Sequence, residues 1–158
     1  GVNERCGRDF SLGVRLSPER FGQRTAEIRD LAAALLVDER LDYLDMSLWD
    51  LTKPAHDEEF EGQSLLEIFT ELPRQGVALG AAGKLYSAAQ CQSALDQGLD
   101  FVMVGRGGIL HHDFPRRALA DPEVAMADLP VTRQYLQQER LGTPFIDYMA
   151  SWKGFVAD

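Results

Sequence analysis

Cysteine is scarce in this chain. Cys6 and Cys91 are the two in 158 residues, with no framework spacing between them, so a disulfide scaffold is excluded and both read as reduced thiols, which fits the cytoplasm. Histidine is nearly as sparse, at positions 56, 111 and 112. Basic residues are outnumbered, 16 Lys and Arg against 25 Asp and Glu, for a net charge of −9. A balance this acidic argues against nucleic acid or an anionic membrane as partner, because both are held by clustered cations. No run approaches the roughly 20 apolar residues of a membrane span, and residues 1–10, GVNERCGRDF, lack the apolar core of a signal peptide. The chain opens on Gly1 rather than Met, which reads as a processed chain or a piece of a longer one.

What the chain does have is 45% hydrophobic residues with 14 Gly and 7 Pro, enough for a single globular domain over residues 1–158 with a real core. A short apolar strand followed by an amphipathic helix recurs four times. Residues 10–16 alternate, with Phe10, Leu12, Val14 and Leu16 on one face and Ser11, Gly13 and Arg15 on the other. From Thr25, the apolar residues Ile28, Leu31, Ala32, Leu35 and Leu36 form the stripe of a helix packed on one side. Strands are expected at about 42–47, 76–81 and 100–104. Ser64 with Glu67, and Ser87 with Gln90, have capping-box spacing ahead of the second and third helices, and Gly98 sits at a helix stop. Beyond residue 129, Thr132 is placed to cap a helix, with an irregular aromatic segment after it.

Strands alternating with helices imply parallel pairing and an α/β fold. Four units make either a small open sheet or half of an eight-unit TIM barrel, whose full form takes about 250 residues. Ser11, Arg15, Asp45 and Ser47 put polar groups near the strands' C-terminal ends, where barrels place their chemistry, and this favours the half-barrel. A half-barrel has unpaired edges, so a homo-oligomer or a missing N-terminal half is the expected partner.

The C-terminal ends of parallel strands share one rim. There, "GRGG" (105–108) follows a buried strand directly, and bare backbone N–H groups beside a guanidinium make an anion site. Gly83 serves equally as a turn former. Ser47 and Trp49 follow the second strand on the same rim and are candidate substrate contacts, although a rim tryptophan also packs under loops. Cys91 lies on the apolar side of its helix beside Ala94 and Leu95 and reads as core. "HHD" (111–113) reads as a solvated surface turn, so no metal site is assigned. Tyr148 and Trp152 read either as a cover over the rim or as core filler.

"GVRLSPERFG" (13–22), "LDYLDMS" (41–47) and "GAAGKLYSAAQCQSALDQGLDFVMVGRGGI" (80–109) resemble the C-terminal half of the Old Yellow Enzyme family, FMN-dependent oxidoreductases on an eight-unit barrel. The resemblance runs from about residue 10 to 119. It implies a (β/α)4 half of a TIM barrel, strands five to eight of the whole, and an activity in which NADH or NADPH reduces the flavin and an activated C=C bond reoxidises it. It further implies that Gly83, Gly105 and Arg106 hold the FMN phosphate, with Lys84 as an additional charge, and that Arg15 reaches the flavin's pyrimidine edge. A fixed guanidinium there suits the negative charge that reduced flavin carries. Arg15 pairing with Asp45 is compatible with that role. In the family the substrate-orienting pair and the proton donor come from the other half, so no catalytic residue is assigned in this chain. Two other readings stay open: a noncatalytic half-barrel with at most a phosphate site, and another phosphate-binding barrel enzyme acting on a small molecule.

Overall fold

The computed structural model describes residues 1–7, 10–18 and 22–157; Glu19, Arg20 and Phe21 of the first rim loop lie outside them. The described chain divides into two compact units. Unit 1 comprises Gly1–Lys84 and Ser93–Met103, and unit 2 comprises Leu85–Gln92 and Val104–Asp158.

In unit 1 a short helix α1 (Val2–Cys6) precedes β1 (Gly13–Leu16), α2 (Thr25–Leu35), β2 (Tyr43–Trp49), α3 (Leu65–Thr70), β3 (Ala78–Gly83), and, past α4 (Ala88–Asp96), β4 (Phe101–Val102). The strands form one sheet in the order β1-β2-β3-β4, each pair parallel. The expected (β/α)4 alternation is therefore present. Strand bounds differ from expectation by a few residues. The first strand starts at Gly13, with Phe10 49% exposed before it; Leu12 accepts the Asp42 N–H at 2.8 Å, but its own N–H goes to the Asp42 carboxylate rather than to a strand backbone. The fourth shortens to two residues.

Register assigns the two sheet faces. Arg15 pairs with Asp45, and Asp45 with Gly80, so Gly13, Arg15, Tyr43, Asp45, Ser47 and Gly80 share one face by alternation. Leu44, Met46 and Leu48 of β2 and Leu79 and Ala81 of β3 share the other and are buried. Parallel neighbours joined by right-handed crossovers keep their helices on one side of the sheet. Accordingly, α2 buries Ile28 and Ala32, and α3 buries Leu65, Leu66, Ile68 and Phe69. The α3 start is a complete capping box, in which Ser64 Oγ accepts the Glu67 N–H and Glu67 accepts the Ser64 N–H. At the end of α4, Gly98 takes φ +106°, a conformation open to glycine at little cost.

Unit 2 holds α5 (Arg106–Leu110), α6 (Phe114–Ala120), α7 (Arg133–Gln138) and α8 (Thr143–Ala150). Its core gathers Leu110, Val131, Leu136, Ile146, Met149 and Phe155. Thr132 caps α7 by accepting the Tyr135 N–H at 3.1 Å. Residues 143–150 are helical rather than irregular: Pro144 falls in the first turn, where its missing N–H costs nothing, and Ile146 and Met149 supply a buried face. Ser87 Oγ accepts the Gln90 N–H as its spacing predicts, but the Gln90 side chain accepts from the Tyr86 N–H instead of closing the box.

Gly83 has a packing reason of its own. A Cβ there would lie 2.9 Å from the backbone nitrogens of Asp50 and Leu51, whereas one at Gly80 would meet the Phe101 ring, a side chain that can turn away. Gly83→Ala should therefore lower unfolding stability by about 1–3 kcal/mol, more than Gly80→Ala, when the two are compared by urea denaturation. Equal stabilities would mean that the loop after β2 does not press on Gly83.

Candidate functional site

Parallel pairing brings the C-terminal ends of β1, β2 and β3 to one edge of unit 1, and the polar groups expected there are present. Arg15 donates from Nη2 to Ser47 Oγ at 3.0 Å, and its Nε lies 3.3 Å from Asp45 Oδ2. Two partners on the neighbouring strand thus fix the guanidinium while its side chain remains 55% exposed. Asp45 is only 4% exposed, and its second oxygen, Oδ1, is buried without a hydrogen-bond partner among the described residues. Burial pushes the Asp45 carboxyl above the usual carboxylate range, and Arg15 pulls against that shift without cancelling it.

Beyond Ser47 the strand bulges, and Trp49 ends it in the left-handed region at φ 62°, 59% exposed. A rim tryptophan packed under a loop is not what is found. Lys84, at φ 49°, is also left-handed, and its Nζ lies 2.9 Å from Asp50 Oδ2. Asp50 in turn accepts from Thr52 Oγ1 at 2.9 Å, and these donors, Lys84 foremost, hold its carboxyl below the usual range. Lys84 is therefore a charge already balanced within its own loop. Left-handed backbone at bulky residues costs about 1 kcal/mol or more and concentrates at functional rims.

In unit 2, Arg106 opens α5. Its Nη1 donates to Tyr86 Oη at 2.8 Å, and its guanidinium carbon lies 5.9 Å from the ring centres of both Tyr86 and Trp152. Two aromatic faces and one hydroxyl orient this cation, and among the described residues the Tyr86 hydroxyl takes one of its five donors. A Cβ at Gly105 or Gly108 would enter open space, while one at Gly107 would strike Val104 and Met126. Gly107 is thus required by packing, and the bare backbone that faces outward is that of Gly105 and Gly108. Trp152, read from the sequence as a rim cover or core filler, packs against Arg106, and Tyr86 is the supporting residue that the sequence did not point to, since it lies 20 positions away and no local period connects the two.

The "HHD" turn corrects expectation. His111 is 7% exposed; its Nε2 accepts the Ala127 N–H at 3.0 Å and its Nδ1 lies 3.1 Å from Tyr135 Oη. His112 donates its backbone N–H to Glu139 at 2.9 Å, with its Nδ1 2.7 Å from the same oxygen. Burial pushes the Glu139 carboxyl up, but His112 and Arg117 outweigh it and hold the carboxyl below its usual range. One ligand atom each from His112, Asp113 and Glu139 lie within 4.8 Å of one another, yet Arg117 sits among them, 2.6 Å from Asp113 and 3.6 Å from Glu139. This is an ion-pair network around a buried glutamate. Its partners come from distant α7, which spacing could not reveal. Cys91 is buried as expected, and burial pushes its thiol up. Among the described residues, no helix is long and apolar enough to cross a membrane.

Four parallel strands with alternating helices, and polar groups at their C-terminal edge, are half of a (β/α)8 barrel. No family model matches the chain. NADH:acrylate oxidoreductase of Vibrio harveyi is 29% identical over 153 residues, covering 89% of this chain and 14% of that protein. The probable NADH-dependent flavin oxidoreductase YqiG of Bacillus subtilis strain 168 is 32% identical over 108 residues, 66% of this chain and 29% of that one. A solved structure of morphinone reductase in complex with tetrahydroNAD superposes with a TM-score of 0.51 at 28% identity, covering 78% of this chain and 31% of that chain. The chain is similar to these oxidoreductases, in line with its resemblance to the Old Yellow Enzyme family, and spans less than a third of each of them.

Asp45 gives the site a pH signature. A folded-state carboxyl raised above its ordinary value binds more protons in the native than in the unfolded chain, so its contribution to stability is present at low pH and is lost as pH rises through the folded value. Relative to Asp45→Asn, the parent should gain stability as pH falls toward the ordinary aspartate range, about 4. A stability difference that does not change with pH, read by thermal unfolding, would mean that Asp45 is not held at a raised value.

Proposed function

We propose that this chain is the flavin-phosphate half of an FMN-dependent NAD(P)H oxidoreductase that reduces activated C=C bonds. The observation that carries this reading is Arg106: a cation oriented by Tyr86 and Trp152, next to the uncovered backbone of Gly105 and Gly108. Oriented guanidinium donors beside bare amide groups recognise a phosphate. The donor set thus fits the phosphate of FMN.

Bound FMN supplies hydride chemistry, accepting two electrons from NADH or NADPH and delivering them to the alkene. The chain's own part is to bind and to set charge. Gly105 and Arg106 would hold the phosphate. By resemblance to the family, Gly83 and Lys84 at the end of β3 are further candidates for cofactor binding, Lys84 with its charge already shared with Asp50. Arg15, fixed by Asp45 and Ser47, would face the pyrimidine edge, where a positive charge favours the reduced, more negative flavin. Ser47 and Trp49, at the end of β2, would contact the small-molecule substrate. The relatives are NADH-dependent by name, which supports NADH as reductant.

The partner in this reading is either an N-terminal half-barrel of a longer chain or another copy, because β1 and β4 each have one paired neighbour in the sheet. Residues 1–158 would then act as one C-terminal half-barrel domain of a cytoplasmic protein that binds neither nucleic acid nor membrane. The substrate-orienting groups and proton donor would come from the other half, so the isolated chain should turn over poorly.

Titrating the protein into FMN and into riboflavin, with flavin fluorescence as readout, tests the phosphate claim. FMN should bind at least tenfold more tightly than riboflavin, and Arg106→Ala should erase most of that preference. Equal affinities for the two flavins would overturn it.

A further inference from the structure

The least satisfied polar group at the edge of unit 1 is Asp45. It is a carboxylate 96% removed from solvent and, among the described residues, it has one ionic partner, Arg15 at 3.3 Å, and one oxygen with none. Its neighbour on β3 is Gly80, and the Phe101 ring occupies the space over that glycine, packed edge-on to Tyr43 at 5.8 Å. Among the described residues, the titratable or charged groups of the strands on this face are Arg15 on β1 and Tyr43 on β2 itself; Ser47 is uncharged, and β3 offers glycine and alanine.

An ion pair of this kind is unequal. Arg15 has a second anchor in Ser47 and half its surface in solvent, so its charge can be shared with an incoming anion. Asp45 has nowhere to turn. Removing the compensating charge from a buried carboxylate is resolved most cheaply by protonation.

We propose that Asp45 is a proton-uptake site governed by Arg15: when an anionic ligand draws on the guanidinium, Asp45 binds one proton from solvent. One proton leaves bulk water, one O–H bond forms on the carboxylate, and no electron moves. The site therefore takes up its anion together with a proton, which keeps the local charge constant. Under the flavin reading above, on which only the identity of the ligand rests, that anion is the reduced pyrimidine edge, and flavin reduction draws in one proton at Asp45 beyond the one bound to the ring.

The first arm uses the protein without cofactor. Carboxyl carbon chemical shifts of 13C-labelled aspartate, with Asp45 assigned by its absence in Asp45→Asn, follow protonation directly. Arg15→Met should move the Asp45 titration to higher pH, and Arg15→Lys should move it most of the way back. Arg15 is half exposed, so both variants keep a folded chain, which circular dichroism verifies. A titration of Asp45 that is the same in the parent and in Arg15→Met overturns the proposal. The second arm adds FMN and counts protons taken up on reduction in weakly buffered solution. The parent should take up one proton more than Asp45→Asn. Equal counts with FMN bound overturn the coupling and leave the flavin reading standing. If FMN does not bind, the flavin reading fails, and the first arm still decides whether Arg15 governs Asp45.

Discussion

Everything in unit 1 follows from one constraint: parallel neighbours joined by crossovers of a single hand. That constraint assigns the helices to one side of the sheet and forces β2 and β3 to turn Leu44, Met46, Leu48, Leu79 and Ala81 toward them. The opposite face is thereby released from the demand for aliphatic packing. It carries glycines under aromatic rings and a row of polar groups, Arg15, Asp45 and Ser47, that an ordinary two-sided sheet would exclude. Because all four strands run the same way, these groups collect at one edge without any further device.

Both cations at issue are fixed, but by different physics. Arg15 is held by charge and a hydroxyl, at the cost of burying Asp45 with an oxygen unsatisfied, a penalty of about 1–3 kcal/mol. Arg106 is held by ring faces and a phenol, which orient it without neutralising it. Lys84, in contrast, is neutralised by Asp50. Of the three, Arg106 keeps the most charge available for an anion, and Arg15 has its charge balanced by a partner that can give it up.

Much of the fold was legible because its signals are local. The alternation through Arg15, the stripe from Ile28 to Leu36, the Ser64 box and the stop at Gly98 each depend on residues within a turn or two of one another. The pairing of Arg15 with Asp45 was also legible, since register between adjacent parallel strands aligns them. What was not legible is long-range. His111 and His112 look like a surface turn until α7 brings Tyr135 and Glu139 to them. The 143–150 helix was masked by its aromatics, and the exposure of Trp49 follows from a bulge that no residue pattern announced. The orphaned oxygen of Asp45 could not be foreseen either, because it depends on how tightly the finished structure closes around one carboxyl.

The central claim, that Arg106 and the backbone around Gly105 grip a flavin's phosphate, is tested most directly by the phosphorus NMR signal of FMN in the presence of equimolar protein. A shifted and broadened resonance that returns to the free position in Arg106→Ala is the expected result. A phosphate signal unchanged by the protein, while the flavin ring's own spectrum reports binding, would contradict it.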